Sequence, residues 1–200
     1  MGDTTLVATL RSQTGAGIVE CKKALDESGD NLEKAVEILR KKGIAKASSK
    51  GERATKEGLV HAYVHSNNKV GVLVEIQCET DFVARTESFQ DFVHDIALQV
   101  AASNPLYVSS DMIPAEVVEK EREIIVAEFA GSSKPKEIVE KIVSGKLDKY
   151  FEEICLLNQR FIKDEDVIIG DLLKQKISQT GENIKIVRFV RFALSEAPTC

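Results

Sequence analysis

Cys78-Glu-Thr-Asp-Phe-Val-Ala-Arg-Thr-Glu-Ser-Phe89 is the stretch on which the reading of the chain turns. Ahead of it, Val70 to Cys78 is a β-branched run that predicts a strand. Val70, Val72, Val74, Ile76 and Cys78 fall on one of its faces. Behind it, Phe89, Phe92, Val93, Ile96, Ala97 and Val100 recur at helical spacing. They predict a helix from about Glu87 to Ala102, with an apolar stripe for the strand to pack on. A short polar connection joins the two and carries one large aromatic, Phe82. A ring at such a corner can plug the core beneath it or be presented outward. The residues alone leave both readings open.

Composition narrows the classes. Two hundred residues suit one large or two small domains, and 43% hydrophobic residues is ordinary for a globular chain. A net charge of −5 argues against a nucleic-acid binder, whose phosphate contacts need a basic surface. No apolar run approaches the roughly 20 residues of a membrane span, and the N-terminus lacks the apolar core of a signal peptide. Cys21, Cys78, Cys155 and Cys200 are far apart and form no Cys-x-x-Cys pair. The expectation is no metal, no disulfide framework and a reducing cytoplasm. Cys200, at the end of the sequence, is a candidate for an intermolecular disulfide.

Residues 1–43 read as three short helices. Leu6 and Leu10 mark the first, Ile18, Cys21 and Leu25 the second, and Leu32, Ala35, Val36 and Leu39 the third. Thr14 to Gly17 and Ser28 to Asp30 break the pattern. Asp30 with Glu33 suggests a capping box, and Gly43 a helix stop. Ile18 has the core spacing. Val19, about 100° away, is a candidate exposed contact, although a single exposed valine is also ordinary.

A basic linker follows over residues 44–57. Counted over 40–56 it holds seven Lys or Arg and one Glu, which reads as a solvated segment. Without interleaved aromatics it makes a poor nucleic-acid arm.

Residues 58–200 read as an α+β core. Strands at Leu59–His65 and Val70–Cys78 flank an Asn67-Asn68 turn. His61, Tyr63 and His65 alternate on one strand face. Two His at i, i+2 could ligate metal, but no carboxylate or Cys nearby completes a set, so the face reads as solvated. His94, off the apolar stripe, should be partly exposed. Pro114–Phe129 and Pro135–Ile154 predict an antiparallel helical hairpin, inserted at about 114–154. Its seams are Val118 with Ile125 and Ile138 with Ile142. A helix near Gly170–Ser178, a Gly181-Glu-Asn183 turn and a strand at Ile184–Leu194 complete a three-stranded antiparallel sheet.

Catalytic signatures are missing. The sequence holds no phosphate loop, no dinucleotide fingerprint and no nucleophile motif, which argues against an enzyme. Binding functions remain. One alternative among them is a non-catalytic module that holds RNA or protein through the basic linker and the helical bundle.

Thr80-Asp-Phe-Val83 resembles the signature of the bacterial elongation factor Ts family. So does Arg11-Ser-Gln-Thr-Gly-Ala-Gly-Ile-Val-Glu-Cys-Lys-Lys-Ala-Leu25. Pro114–Glu121, Lys134–Ile138, Phe161–Asp164 and Leu172–Lys174 fit the family's later part, in order, from about Leu6 to Leu194. The resemblance implies a guanine-nucleotide exchange factor for elongation factor Tu. It implies a ubiquitin-associated-type N-terminal bundle, docking on the GTPase through Arg11, Ile18 and Val19, and a protruding helical hairpin. Thr80, Asp81, Phe82 and Val83 would form the loop that loosens GDP near the switch and Mg²⁺ region. It implies no cofactor and no stable nucleic-acid or membrane partner. A chain with one core subdomain resembles the short members, which tend to dimerise. A family histidine that contacts elongation factor Tu falls here at Gln99, a departure that puts that contact in doubt. Arg160 and Ile168 stand where the family usually has Pro and Thr.

Overall fold

The computed structural model describes residues 4–48, 50–129 and 135–196. The 131–134 connection and Cys200 lie outside the described residues. Three helices come first: α1 Thr4–Thr14, α2 Ile18–Ser28 and α3 Leu32–Ser48. Strands β1 Glu57–Val64 and β2 Val70–Cys78 follow, then the single turn α4 Asp81–Ala84 and the long α5 Glu87–Ser103. Helices α6 Ala115–Ala127 and α7 Lys136–Ile154 precede the short strands β3 Arg160–Phe161 and β4 Asp164–Ile168. The chain closes with α8 Ile169–Thr180 and β5 Ile184–Ala193. The fold is α+β, with one antiparallel sheet in the order β1-β2-β5 and a small β3-β4 pair. The Leu194 N–H donates to Lys69 O at 2.9 Å, so β5 ends where β2 begins.

The chain divides into two compact units. The first comprises Met1–Val60, Glu75–Val93 and Asp171–Ile186; the second, His61–Val74, His94–Gly170 and Val187–Cys200.

In the first unit, α1, α2 and α3 close on Leu10, Cys21, Ala24, Leu25 and Ala35, flanked by Leu6, Leu32, Val36 and Leu39. Ile18 does not join them and is 57% exposed. It is the first residue of α2, and the stripe that turns inward is Cys21, Ala24 and Leu25, one turn on. The cap of α3 also differs from expectation. Asp30 follows Gly29 into the left-handed region, and Asn31 Oδ1 accepts from Lys34 N–H at 3.0 Å in place of an Asp30–Glu33 box. Nor does Gly43 stop α3, which continues to Ser48. Gly43 instead permits a close approach, because a Cβ there would meet Ser178 Oγ at 3.1 Å.

The second unit buries Val72 and Val74 of β2 and Ile96, Ala97 and Val100 of α5. A neighbouring cluster joins Ile113, Ile154 and Cys155 to Tyr107, Val117, Val118, Tyr150 and Phe151. α6 and α7 pack together. Besides Ile154, their buried positions are Ile125 and Val143, whereas Ile138, expected in the seam, is exposed. Gln99 is fully buried and cannot be a partner contact. Its Nε2 donates to Ser103 Oγ at 2.8 Å and Arg160 O at 3.0 Å, and its Oε1 accepts from Ile162 N–H at 2.9 Å.

β1 turns the other way from the reading of a solvated His face. His61 and Tyr63 are half-buried against His94 of α5. His61 Nε2 lies 3.1 Å from His94 Nδ1, and Tyr63 stacks edge-on to His94 at 5.6 Å. The opposite face is apolar and open: Val64, Leu73, Val190, Phe192 and Leu194 are all exposed. Among the described residues no group of three or more His, Cys, Asp or Glu could hold a metal, and no helix is long and apolar enough to cross a membrane.

Burial, and then the neighbouring His94, hold the His61 pKa below its ordinary 6.5. Two neutral imidazoles satisfy each other with one donor and one acceptor, but two charged ones would point N–H groups at each other. Between the folded and unfolded pKa values the unfolded chain binds more protons. This contribution to stability is therefore complete above about pH 6.5 and is lost as pH falls toward the lowered value. Urea unfolding should show an earlier midpoint at pH 5.5 than at pH 7.5, and His61→Gln should narrow that gap. An identical gap in the variant would assign the acid sensitivity to other groups.

Candidate functional site

The corner after β2 is built from the first unit's residues. Cys78 is buried and its thiol donates to Thr80 O at 3.1 Å. Burial, with the Glu182 carboxylate next in effect, pushes that thiol's pKa up. Thr80 is in extended conformation and caps α4, its Oγ1 accepting from Val83 N–H at 3.4 Å. Thr86 then caps α5, its Oγ1 accepting from Phe89 N–H at 3.3 Å. Two caps within seven residues leave the chain one helical turn between strand and long helix.

That turn sorts its side chains by direction. Ala84 and, beyond it, Phe89 are buried. Thr80, Asp81 and Val83 are half-buried. Phe82, about 100° round from its neighbours, is 80% exposed. It is not a core plug. Fully burying a Phe is worth roughly 1.5–3 kcal/mol, and folding leaves most of that unrealised here. Asp81 pairs with Arg85 at 2.9 Å, an exposed i, i+4 contact worth only about 0–1 kcal/mol, so its carboxylate can be recruited elsewhere at small cost.

Glu182, from the turn between α8 and β5, holds the base of the corner. Its Oε2 accepts from Glu79 N–H at 3.1 Å and Thr80 N–H at 3.0 Å, and its Oε1 accepts from the Thr80 hydroxyl at 2.6 Å. Next to it, Asn183 N–H donates to Glu79 Oε1 at 2.6 Å, and Asn183 Nδ2 donates to Arg53 O at 2.8 Å. The sequence marks Gly181-Glu-Asn183 only as a turn. No local signal ties it to a loop about a hundred residues upstream.

The basic stretch is not a free arm. Arg40 pairs with Asp171 at 3.3 Å, Lys42 with Glu27 at 2.6 Å and Arg53 with Glu79 at 3.6 Å, and Lys50 donates to Gly181 O at 2.6 Å. Four of its cations are thus engaged within the chain. Arg11 lies exposed in the last turn of α1, and Ile18 and Val19 are both exposed in the first turn of α2.

A family model described as Elongation factor TS matches residues 29–196. The chain belongs to the elongation factor Ts family. It is similar to Elongation factor Ts of Carboxydothermus hydrogenoformans, 53% identical over 96% of this chain and 88% of that protein. Against Elongation factor Ts of Thermosipho melanesiensis the identity is 53%, covering 96% and 97%. Against that of Thermotoga petrophila it is 54%, covering 96% and 95%. Membership makes the chain a translation elongation factor, and the exposed Phe82 lies within the matched region.

Proposed function

We propose that the chain is a guanine-nucleotide exchange factor for elongation factor Tu, acting in the cytoplasm, and that Thr80, Asp81, Phe82 and Val83 are its exchange loop. The carrying observation is an aromatic ring 80% in solvent on a turn capped at both ends. Phe82 wedges between elements of the GTPase that hold Mg²⁺ and the phosphates, and Asp81 supplies a polar contact beside it. The factor makes and breaks no covalent bond. It acts by binding the nucleotide-free state more tightly, and so raising that state's population. The N-terminal three helices, as a ubiquitin-associated-type bundle, dock on the GTPase domain. Ile18 and Val19 are the apolar contacts and Arg11 the charged one. The α6–α7 pair is the family's protruding hairpin.

Phe82→Ala should lower the stimulated rate of GDP release by roughly thirtyfold or more, the kinetic equivalent of a hot spot of about 2 kcal/mol. Melting should hardly change, since the ring contributes little to the core. Stopped-flow release of a fluorescent GDP, run beside thermal melting, checks both. Preserved exchange activity would remove Phe82 from the mechanism.

The factor is a homodimer, formed by the outer sheet face of the second unit meeting its copy. Val64, Leu73, Val190, Phe192 and Leu194 give that face a cluster of exposed apolar side chains, suited to an isologous contact with itself. Sedimentation at micromolar concentration under reducing conditions should give a dimer, and Phe192→Lys a monomer. A wild-type monomer with and without reductant would refute the assembly. A dimer seen only without reductant would assign it to Cys200 instead.

A further inference from the structure

We infer that Glu182 is the positioning residue of the loop at Thr80–Val83, the group that fixes the direction in which Phe82 is presented. Its relevance to exchange rests on the exchange-loop reading; its effect on loop order does not. Thr80 has one hydroxyl proton. An ionised carboxylate can only accept, so that proton goes to Glu182 Oε1 at 2.6 Å. The hydroxyl lone pairs are then aimed at Val83 N–H, the bond that starts α4. The same carboxylate takes the Glu79 and Thr80 N–H groups. Three donors from two consecutive residues therefore converge on one side chain. Charge-assisted bonds of this kind are stronger and more directional than neutral ones.

Glu182 is itself held. Gly181 takes a φ of +78°, Glu182 N–H donates to Thr180 Oγ1 at 3.3 Å, and the adjacent Asn183 is buried and bonded on both its backbone and its amide. The carboxylate is thus a fixed point and the loop is what it orients. The core around the corner is apolar, made by Cys78, Ala84 and Phe89, and does not include Glu182. Removing the carboxylate should therefore loosen the turn without dissolving the fold. The two open N–H groups sit on half-buried residues that water can reach.

The chain contains no tryptophan, so Phe82→Trp places a single fluorescent reporter at the loop tip. In that background Glu182→Ala should increase the amplitude of fast local rotation in time-resolved anisotropy, while thermal melting shows one cooperative transition. Glu182→Gln keeps the shape and two neutral acceptor bonds, and should lie between. With Phe82 in place, Glu182→Ala should cut the maximum rate of GDP release from elongation factor Tu roughly tenfold, the equivalent of one charge-assisted bond. The factor concentration giving half that rate should change little. Glu182→Gln should partly restore the rate. Unchanged anisotropy in a folded Glu182→Ala protein would overturn the inference. If that variant does not fold, parental anisotropy in Glu182→Gln would overturn it. If the wild-type chain stimulates no GDP release at all, the exchange reading fails while the anisotropy result still decides the role of Glu182.

Discussion

A threonine hydroxyl carries one proton, and at Thr80 a carboxylate claims it. With the Oγ1 proton pointed at Glu182, the Thr80 oxygen faces Val83 N–H and the Asp81–Ala84 turn begins at a defined residue. The Thr86 cap ends it just as sharply, by starting the next helix. A turn with both ends fixed has no freedom to rotate Phe82 inward, and Ala84 and Phe89 already occupy the space beneath. The ring is left in water by geometry. The apolar area it withholds from the core remains available to a partner.

Periodicity made much of this legible in advance. β2 and α5 are readable because each carries a clean repeat, of 2 and of about 3.6, over a long run, and α5 begins at Glu87 as expected. β1 misled because both its faces are populated: the apolar set of Val60, Ala62 and Val64 points outward, while His61 and Tyr63 lie half-buried. Sequence reasoning sends the greasier face to the core. That rule fails where the greasy face is free for another molecule to cover. Gln99 stands where the resemblance puts a partner-contacting histidine, yet it is a buried amide bonded to four backbone or side-chain groups of the second unit. Nothing in a helical repeat distinguishes a buried polar position that is hydrogen-bonded from one that is wet.

The candidate site divides in the same way. Thr80, Asp81, Phe82 and Val83 were visible as a motif, and only the structure could say that the ring is outside. Glu182 and Asn183 were invisible, because their role is a contact between segments about a hundred residues apart. Ile18 has the spacing of a core position. The first turn of α2 lies beyond the packed stripe, so Ile18 joins Val19 on the surface instead. Like the open sheet face, the apolar pair Ile18 and Val19 and the ring of Phe82 are hydrophobic features that the chain's own folding does not use.

A factor that loosens GDP from elongation factor Tu must itself be loosened by GDP, by the same equilibrium factor, because the two ligands are coupled through one protein. Such couplings are typically about 1–3 kcal/mol, or roughly 5–150-fold, and exchange demands the upper end or beyond. Calorimetric titration of the chain into elongation factor Tu, first free of nucleotide and then saturated with GDP and Mg²⁺, measures this directly. The account predicts that affinity falls by roughly a hundredfold or more in the second titration. Equal affinity in both would contradict it, and would leave the chain a partner that binds without discriminating between nucleotide states.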